Sequence, residues 1–205
     1  GTKSRNLDTF FTDSNTTRYL FSENTADCDL AVVEGVMGYF DGLGGVSTDG
    51  STYDVARTLS MPSVLIVNSR GASLSVLATI KGFLSFREDS QIRAVILNQV
   101  SPMIYAQLKP LIEQELGYVP KLTDLNLESR HLGLVLPGEI EALKEKLKRL
   151  AMALEETLDL DGLLRLAEMT EPINYEEPKL SVLEHSVKIA VAADDAFCFT
   201  YLDNL

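Results

Sequence analysis

The sequence predicts an α/β protein in which a mostly parallel sheet is flanked by helices. Short runs of β-branched and aliphatic residues alternate with stretches of helical periodicity, a pattern typical of strand–helix–strand units. The chain has 205 residues, of which 45% are hydrophobic. That is enough for one sizeable core, or for one core and a small appendage.

The strands and helices of the first part follow from its apolar runs. Three predominantly apolar runs predict buried strands, at 29–34, 63–69 and 92–100. Apolar spacing of three to four residues predicts the intervening helices, at 51–60, 73–86 and 102–116. The first of these helices has Asp49 or Ser51 as its candidate N-cap. Pro102 suits the first turn of the last helix, and Pro110 is expected to kink it.

After that helix the sheet is expected to be short of a strand. Only GYVP separates the helical pattern from the following loop, whereas a further parallel strand needs about five residues. Either the sheet lacks a strand at this point, or residues are missing from the sequence.

The second part of the chain is predicted to be mainly helical. Apolar residues from Pro137 to Leu158 recur every three to four positions, and a shorter helix begins at Asp159 or Asp161. An acidic stretch that contains prolines is then predicted to be a linker before a new strand. We therefore divide the chain into a first α/β domain, its helical segment, a linker and the start of a second α/β domain, at 1–136, 137–172, 173–186 and 187–205.

Charge and composition exclude several classes of function. The chain has 18 lysines and arginines against 30 acidic residues, a net charge of −12, which argues against binding to nucleic acid or to an anionic membrane. No apolar run approaches the roughly 18 residues of a membrane span. Cys28 and Cys198 have no metal-type spacing and are expected to be reduced, buried thiols. A cytoplasmic protein is expected.

The strand predicted at 29–34 ends in Glu34 and is followed by a glycine-rich loop with Asp41. Ligands of parallel sheets collect at the carboxyl ends of strands, and P-loop nucleotide-binding proteins place a carboxylate there to hold Mg²⁺. Gly35 and Gly38 would let the backbone approach phosphates. On spacing alone, an ordinary charged strand end before a flexible loop explains the pattern equally well.

A set of ordered motifs gives the chain a family resemblance. The motifs are SRNLD, VVEGVMGYFDG, GSTYDVARTLSMPSVLIVNSRGASLSVLATIKGF, VILNQV, ESRHLGLV and VKIAVAADDAFCFTYLDNL. Together they resemble the cobyrinic acid a,c-diamide synthase family, which belongs to the P-loop NTPase-like fold. The resemblance implies an ATP- and Mg²⁺-dependent ligase of cobalamin biosynthesis. Such a ligase phosphorylates carboxylates of a corrinoid polycarboxylate, and ammonia from glutamine then displaces the phosphate.

The resemblance also implies roles for individual residues. Glu34 would coordinate Mg²⁺, and Asp41 would order the metal and the substrate carboxylate for phosphoryl transfer. Gly35 and Gly38 would lie against the nucleotide, and Asn98 would recognise the adenine edge. An aspartate in a turn and an asparagine that caps a loop remain the alternatives for Asp41 and Asn98.

Substrate-binding residues are implied in two places. The first set is Arg5, Asn6 and Asp8. The second is Arg130 with His131, where a guanidinium could meet a ring carboxylate; a loop pair that anchors backbone carbonyls is the alternative. Arg70 is a weaker candidate for a phosphate or carboxylate ligand, and a surface salt bridge is its alternative. His185 is expected to be solvated.

The sequence departs from the family in two respects. No GxxxxGK[ST] loop occurs in it, and the glutaminase part is represented only by a first strand. The chain is therefore expected to be a central fragment that is inactive by itself. Hydrogenobyrinic acid and nickel-sirohydrochlorin are alternative substrates, and a P-loop ATPase switch protein is the alternative of another class. The formation of a homo-oligomer is left open by the sequence.

Overall fold

A computed structural model describes residues 4–123, 125, 142–179, 185–192 and 194. The chain divides into two compact units. The first combines Gly1–Met61 with Glu171–Leu205, and the second is Pro62–Thr170.

The second unit contains an open sheet of three parallel strands, in the order β1 (Ser63–Asn68), β2 (Ile92–Asn98) and β3 (Glu115–Val119). The central strand forms the core, since Val95 and Leu97 are fully buried. Helix α3 (Ser75–Ser85) connects β1 to β2, and α4 (Pro102–Leu108) connects β2 to β3. This arrangement confirms the predicted α/β class and is consistent with a P-loop NTPase-like fold.

The predicted helix at 102–116 is wrong beyond its first two turns. Helix α4 begins after Ser101, whose hydroxyl accepts a hydrogen bond from the Ile104 amide, and has Pro102 in its first turn as predicted. A 3-10 turn, Lys109–Leu111, then ends it. Pro110 lies in that turn, where a missing amide proton and a fixed φ stop an α-helix instead of kinking it.

The expectation of a missing strand is wrong, because the last two residues of the predicted helix and the first three of GYVP together form β3. This strand pairs in parallel with β2, with Tyr118 opposite Leu97 and Val119 opposite Asn98. It was hard to recognise because a glutamate and a glycine interrupt its short apolar pattern. Tertiary contacts compensate for both the glutamate and the glycine.

Two helices follow in the same unit, α5 (Leu143–Thr157) and α6 (Leu160–Glu168). Asp159 caps α6, since its carboxylate accepts a hydrogen bond of 2.8 Å from the Gly162 amide. The Asp159 amide donates to the Leu116 carbonyl at 2.8 Å, which joins the α5–α6 junction to β3.

The first unit contains helices α1 (Ser14–Thr25) and α2 (Thr52–Thr58) and a 3-10 turn, Leu43–Gly45. The sequence patterns did not predict α1. Ser51 is the N-cap of α2, one of the two candidates. Asn15 of α1 holds a segment from later in the chain: its side-chain amide donates to, and accepts from, the Glu176 backbone at 2.8 Å.

The predicted strand at 29–34 is wrong. These residues belong to no strand, and Val32 is 87% exposed. A strand requires a neighbouring strand for its backbone hydrogen bonds, and none of the described strands pairs with this segment.

The strand predicted to begin at 187 is not formed over 187–192, which are exposed. Its remaining residues lie outside the described part of the chain. Within the described residues, no helix combines the length and the apolar character that crossing a bilayer requires.

Candidate functional site

A pocket of about 500 Å³ opens where the three strands end. Residues that follow the strands line it: Arg70 after β1, Asn98 and Gln99 at the end of β2, and a run from Val119 to Thr123 at the end of β3. Leu125 and Leu150 add apolar surface. The carboxyl edge of a parallel sheet is where α/β proteins bind ligands, so this pocket is the candidate site of the second unit.

Backbone hydrogen bonds hold the strand ends of this pocket in register. The Ser69 amide donates to the Asn98 carbonyl at 2.8 Å, and the Gln99 amide donates to the Val119 carbonyl at 2.8 Å. Ser69 is 1% exposed, and its hydroxyl donates to the Val67 carbonyl. The pocket floor is therefore a rigid extension of the sheet.

Gln99 has a left-handed backbone, with a φ of 60°. Side chains other than glycine, asparagine and aspartate seldom adopt this conformation, and it costs about 1–3 kcal/mol. The turn at Gln99 ends β2, while Asn98 remains half-buried in the pocket wall. Backbone strain of this kind is common at functional sites.

In the first unit, the loop after Glu34 wraps around the start of α2. A Cβ on Gly35 would come within 2.5 Å of the Thr52 side chain, so a larger residue there would require the Thr52 side chain to shift. The Tyr53 amide donates to the Tyr39 carbonyl at 2.9 Å, and the rings of Tyr39, Phe40 and Tyr53 form a cluster of tilted and edge-to-face contacts. This aromatic cluster fixes the middle of the loop.

Asp41 folds back over Gly38. The Asp41 amide donates to the Gly38 carbonyl at 2.9 Å, and a Cβ on Gly38 would overlap the Asp41 carboxylate. A larger residue at position 38 would displace the Asp41 carboxylate, a local role of Gly38 that the sequence patterns did not suggest. Both features agree with the turn interpretation of Asp41 and leave its carboxylate exposed.

Glu34 and Asp41 are both exposed in this loop, and Glu34 is not at the end of a strand. The described residues contain no group of three or more metal-binding side chains. Mg²⁺ typically takes one or two protein carboxylates, with water and phosphate oxygens as its other ligands. Two exposed carboxylates in one loop are the kind of ligand that Mg²⁺ takes, and among the described residues they do not form a closed protein site.

The candidate substrate residues near the start of the chain are partly engaged. Asp8 accepts a hydrogen bond of 2.8 Å from the Phe10 amide, and its carbonyl accepts one from the Thr12 hydroxyl. Arg5 and Asn6 are exposed. Arg130 and His131 lie outside the described residues.

Cys28 is a free cysteine just after α1 and is exposed, so the prediction that its thiol is buried is wrong. Cys198 lies outside the described residues. His185 is exposed, as predicted for a solvated residue.

The predicted residues therefore fall into separate groups. Glu34, Gly35, Gly38 and Asp41 lie in one loop of the first unit, whereas Asn98 lies in the pocket of the second. The sequence patterns missed Gln99 and Lys121 as pocket residues. Had 115–119 been recognised as a strand, Lys121 would have been predicted as a pocket residue, because the residues that follow parallel strands line the carboxyl edge of the sheet.

Comparison with curated proteins gives matches along the whole chain. A cobyrinate a,c-diamide synthase of Methanocaldococcus jannaschii is 38% identical and covers 100% of the chain, which covers 48% of that protein. The synthase of Caldanaerobacter subterraneus is 39% identical, over 98% of the chain and 45% of the relative. The synthase of Clostridium acetobutylicum is 37% identical, over 100% and 47%.

No protein-family model matches the chain, and no solved structure does. The chain spans about half the length of the curated relatives it matches. Over its whole length, the chain is a homologue of the cobyrinate a,c-diamide synthases.

Proposed function

We propose that the chain supplies the nucleotide-binding and carboxylate-activating part of an enzyme that converts the a and c carboxylates of cobyrinic acid to amides. The observation that carries this proposal is the identity of 37–39% to curated synthases across 98–100% of the chain. The names of these relatives favour cobyrinic acid over hydrogenobyrinic acid or nickel-sirohydrochlorin. Because ATP is the proposed energy source, we expect the enzyme to work in the cytoplasm.

The pocket at the end of the sheet is the proposed site of the adenine base. Asn98 is half-buried in its wall and offers both a carbonyl acceptor and an amide donor. The edge of adenine presents the complementary pair, a donor amino group beside an acceptor ring nitrogen. Val119, Leu122 and Leu150 give apolar surface against which a flat ring can pack.

The loop of the first unit is the proposed site of the reacting groups. Glu34 and Asp41 would hold Mg²⁺, which supplies charge stabilisation for the phosphoryl group when it is bound. The turn over Gly38 fixes the Asp41 backbone, and the exposed Asp41 carboxylate would serve as an anionic ligand for the metal or as a hydrogen-bond acceptor for a substrate group.

The proposed chemistry has two steps for each carboxylate. An oxygen of the substrate carboxylate attacks the γ-phosphorus of ATP, and the bond to the bridging oxygen breaks, giving an acyl phosphate and ADP. Ammonia derived from glutamine then attacks the acyl carbon, loses a proton and expels inorganic phosphate. Positioning and charge stabilisation are the protein's main contributions to such a transfer.

We assign recognition of the corrinoid carboxylates to two groups of polar residues. Arg5 and Asn6 are exposed, and the Asp8 turn, closed by the Phe10 amide, holds the segment beside them. Arg130 and His131 are the second proposed group. An arginine fork matches a carboxylate with two parallel hydrogen bonds.

A chimaera tests the proposal. The corresponding half of the Methanocaldococcus jannaschii relative is replaced by this chain, and formation of the diamide from cobyrinic acid is followed by mass spectrometry. We expect amidation that depends on ATP, and a decrease in kcat of about 10²-fold or more for Glu34→Gln, because the metal loses an anionic ligand.

The matched control is Glu88→Gln, which neutralises an exposed glutamate of the second unit and should leave kcat unchanged. A folded chimaera that forms no amide would overturn the proposed function. A Glu34→Gln chimaera with unchanged kcat would remove Glu34 from the metal site and leave the reaction in place.

A further inference from the structure

The described lining of the pocket at the end of the sheet carries two cationic side chains, in a chain that is strongly acidic. Arg70 and Lys121 line it, whereas its described lining includes no aspartate or glutamate. The chain as a whole has a net charge of −12. Two cations gathered at one cleft of such a protein create a local field opposite to the global one, which favours an anionic ligand.

Neither cation is neutralised within the part of the chain that the structure describes. The described ion pairs join Arg57 to Asp54, Lys109 to Glu115 and Arg165 to Asp159. Arg70 and Lys121 take no part in these, and both residues are exposed. The salt-bridge interpretation of Arg70 therefore finds no carboxylate partner among the described residues.

The topology places the two cations on opposite sides of Asn98. Arg70 follows β1 and Lys121 follows β3, and β2 with Asn98 at its end lies between those strands. Neighbouring strands are about 4.8 Å apart, so the two outer strands are separated by about 10 Å. The long side chains of arginine and lysine can converge across that distance on a single ligand held at the end of β2.

Hydrogen bonds fix the backbone at Arg70 and at Val119, two residues before Lys121. The Arg70 amide donates to the Asn68 side-chain carbonyl at 3.1 Å, and Asn68 pairs with Asn98 in the sheet. On the other side, the Val119 carbonyl accepts from the amides of Gln99 and Val100, at 2.8 and 3.4 Å. A cation on a rigid base loses less conformational freedom when it binds a ligand.

We propose that Arg70 and Lys121 form a two-cation site for the phosphate groups of the nucleotide whose base lies against Asn98. This inference rests on the proposed function, which puts a nucleotide base in this pocket. The arginine fork suits two phosphate oxygens at once, and lysine adds a mobile point charge. The two residues then discriminate a nucleotide from a nucleoside.

Calorimetric titration of the 205-residue chain tests this, with ATP, adenosine and inorganic tripolyphosphate as separate probes at low and at physiological salt. We expect ATP to bind at least about tenfold more tightly than adenosine at low salt, with a smaller advantage as salt screens the charges. Arg70→Gln and Lys121→Gln should each weaken ATP binding severalfold. The double variant should bind ATP no better than adenosine. Lys81→Gln, which removes an exposed cation of α3, is the matched control and should change nothing.

The probes separate this inference from the base site. Asn98→Ala should weaken adenosine and ATP by the same factor. If adenosine does not bind while tripolyphosphate binds in an Arg70-dependent manner, the base site fails and the cation site stands. Equal affinity of the unmodified chain for ATP and adenosine, a double variant with unchanged ATP affinity, or no binding of ATP and tripolyphosphate would each overturn the inference.

Discussion

At the scale of single residues, the most tightly connected group is the contact between α4 and β3. The Tyr105 hydroxyl donates to the Glu115 carboxylate, and Lys109 lies 3.7 Å from the same carboxylate. The Tyr105 and Tyr118 rings stack with centroids 4.2 Å apart. This group explains how a strand can begin with a glutamate: the charge is paired, and its partners come from the helix that the strand follows and the turn that ends that helix.

Removing the Tyr105 hydroxyl is expected to destabilise the fold. Tyr105→Phe should lower the free energy of unfolding by about 1–2 kcal/mol at neutral pH, since Glu115 loses a hydrogen-bond donor. The control Tyr118→Phe removes a hydroxyl that has no partner among the described residues and should cost less. Urea denaturation followed by circular dichroism measures both.

The same contact gives a pH dependence. Burial, and then the hydrogen bond to Glu115, raise the pKa of Tyr105 above that of a free tyrosine. The protonated phenol is therefore favoured in the folded state. Its contribution to stability is complete below about pH 10, the pKa of an unfolded tyrosine, and is lost as the pH rises further. The alkaline decrease in stability should be smaller in Tyr105→Phe; an identical alkaline profile would contradict this.

At the scale of elements, Gly117 decides whether β3 can accept the helices that pack on it. Its φ is +124°, and a Cβ there would overlap the Thr157 carbonyl and come within 2.8 Å of the Leu158 Cα. Gly117 and Leu158 form an antiparallel bridge at this point. The glycine that obscured the strand in the sequence is thus what allows the α5–α6 junction to lie against it.

Gly117→Ala is expected to destabilise the second unit by about 2–4 kcal/mol, because a strained φ and a backbone overlap act together. Gly82→Ala is the matched control. Gly82 lies inside α3, and a methyl group added there would have nothing within 4 Å, so alanine should stabilise by up to ~1 kcal/mol. Thermal unfolding compares the two variants, and equal midpoints would contradict the role given to Gly117.

Elements differ in how far the sequence could predict them. The strands at 63–69 and 92–100 and the helix at 73–86 were predicted because their apolar patterns are largely uninterrupted, and the structure has β1, α3 and β2 there. The segment at 29–34 has an equally apolar pattern and no strand. The apolar pattern of a segment indicates how well the segment suits burial, whereas a strand also requires a neighbouring strand for its backbone hydrogen bonds.

At the scale of the whole molecule, we expect the 205-residue chain to bind a nucleotide without turning it over. No GxxxxGK[ST] loop occurs in its sequence, so it offers no loop lysine of that type to stabilise charge on the transferring phosphoryl group. Assays for phosphate release from ATP and ammonia release from glutamine should remain at background. Turnover of either substrate that Glu34→Gln abolishes would contradict this.

The sequence by itself determined the α/β class, the start of α4 at Pro102 and the family likeness, and it narrowed the first residues of α2 and α6 to two candidates each. These features depend on local periodicity, capping residues and ordered motifs. The position of Asn98 at a strand end also follows from its apolar run. Only the tertiary structure decided that 115–119 is a strand, that 29–34 forms none and that Arg70, Asn98 and Lys121 share one pocket. These features depend on contacts between segments that are distant in the chain. In β3, such contacts pair the Glu115 carboxylate and fill the space beside Gly117, and they outweigh the low strand propensity of both residues.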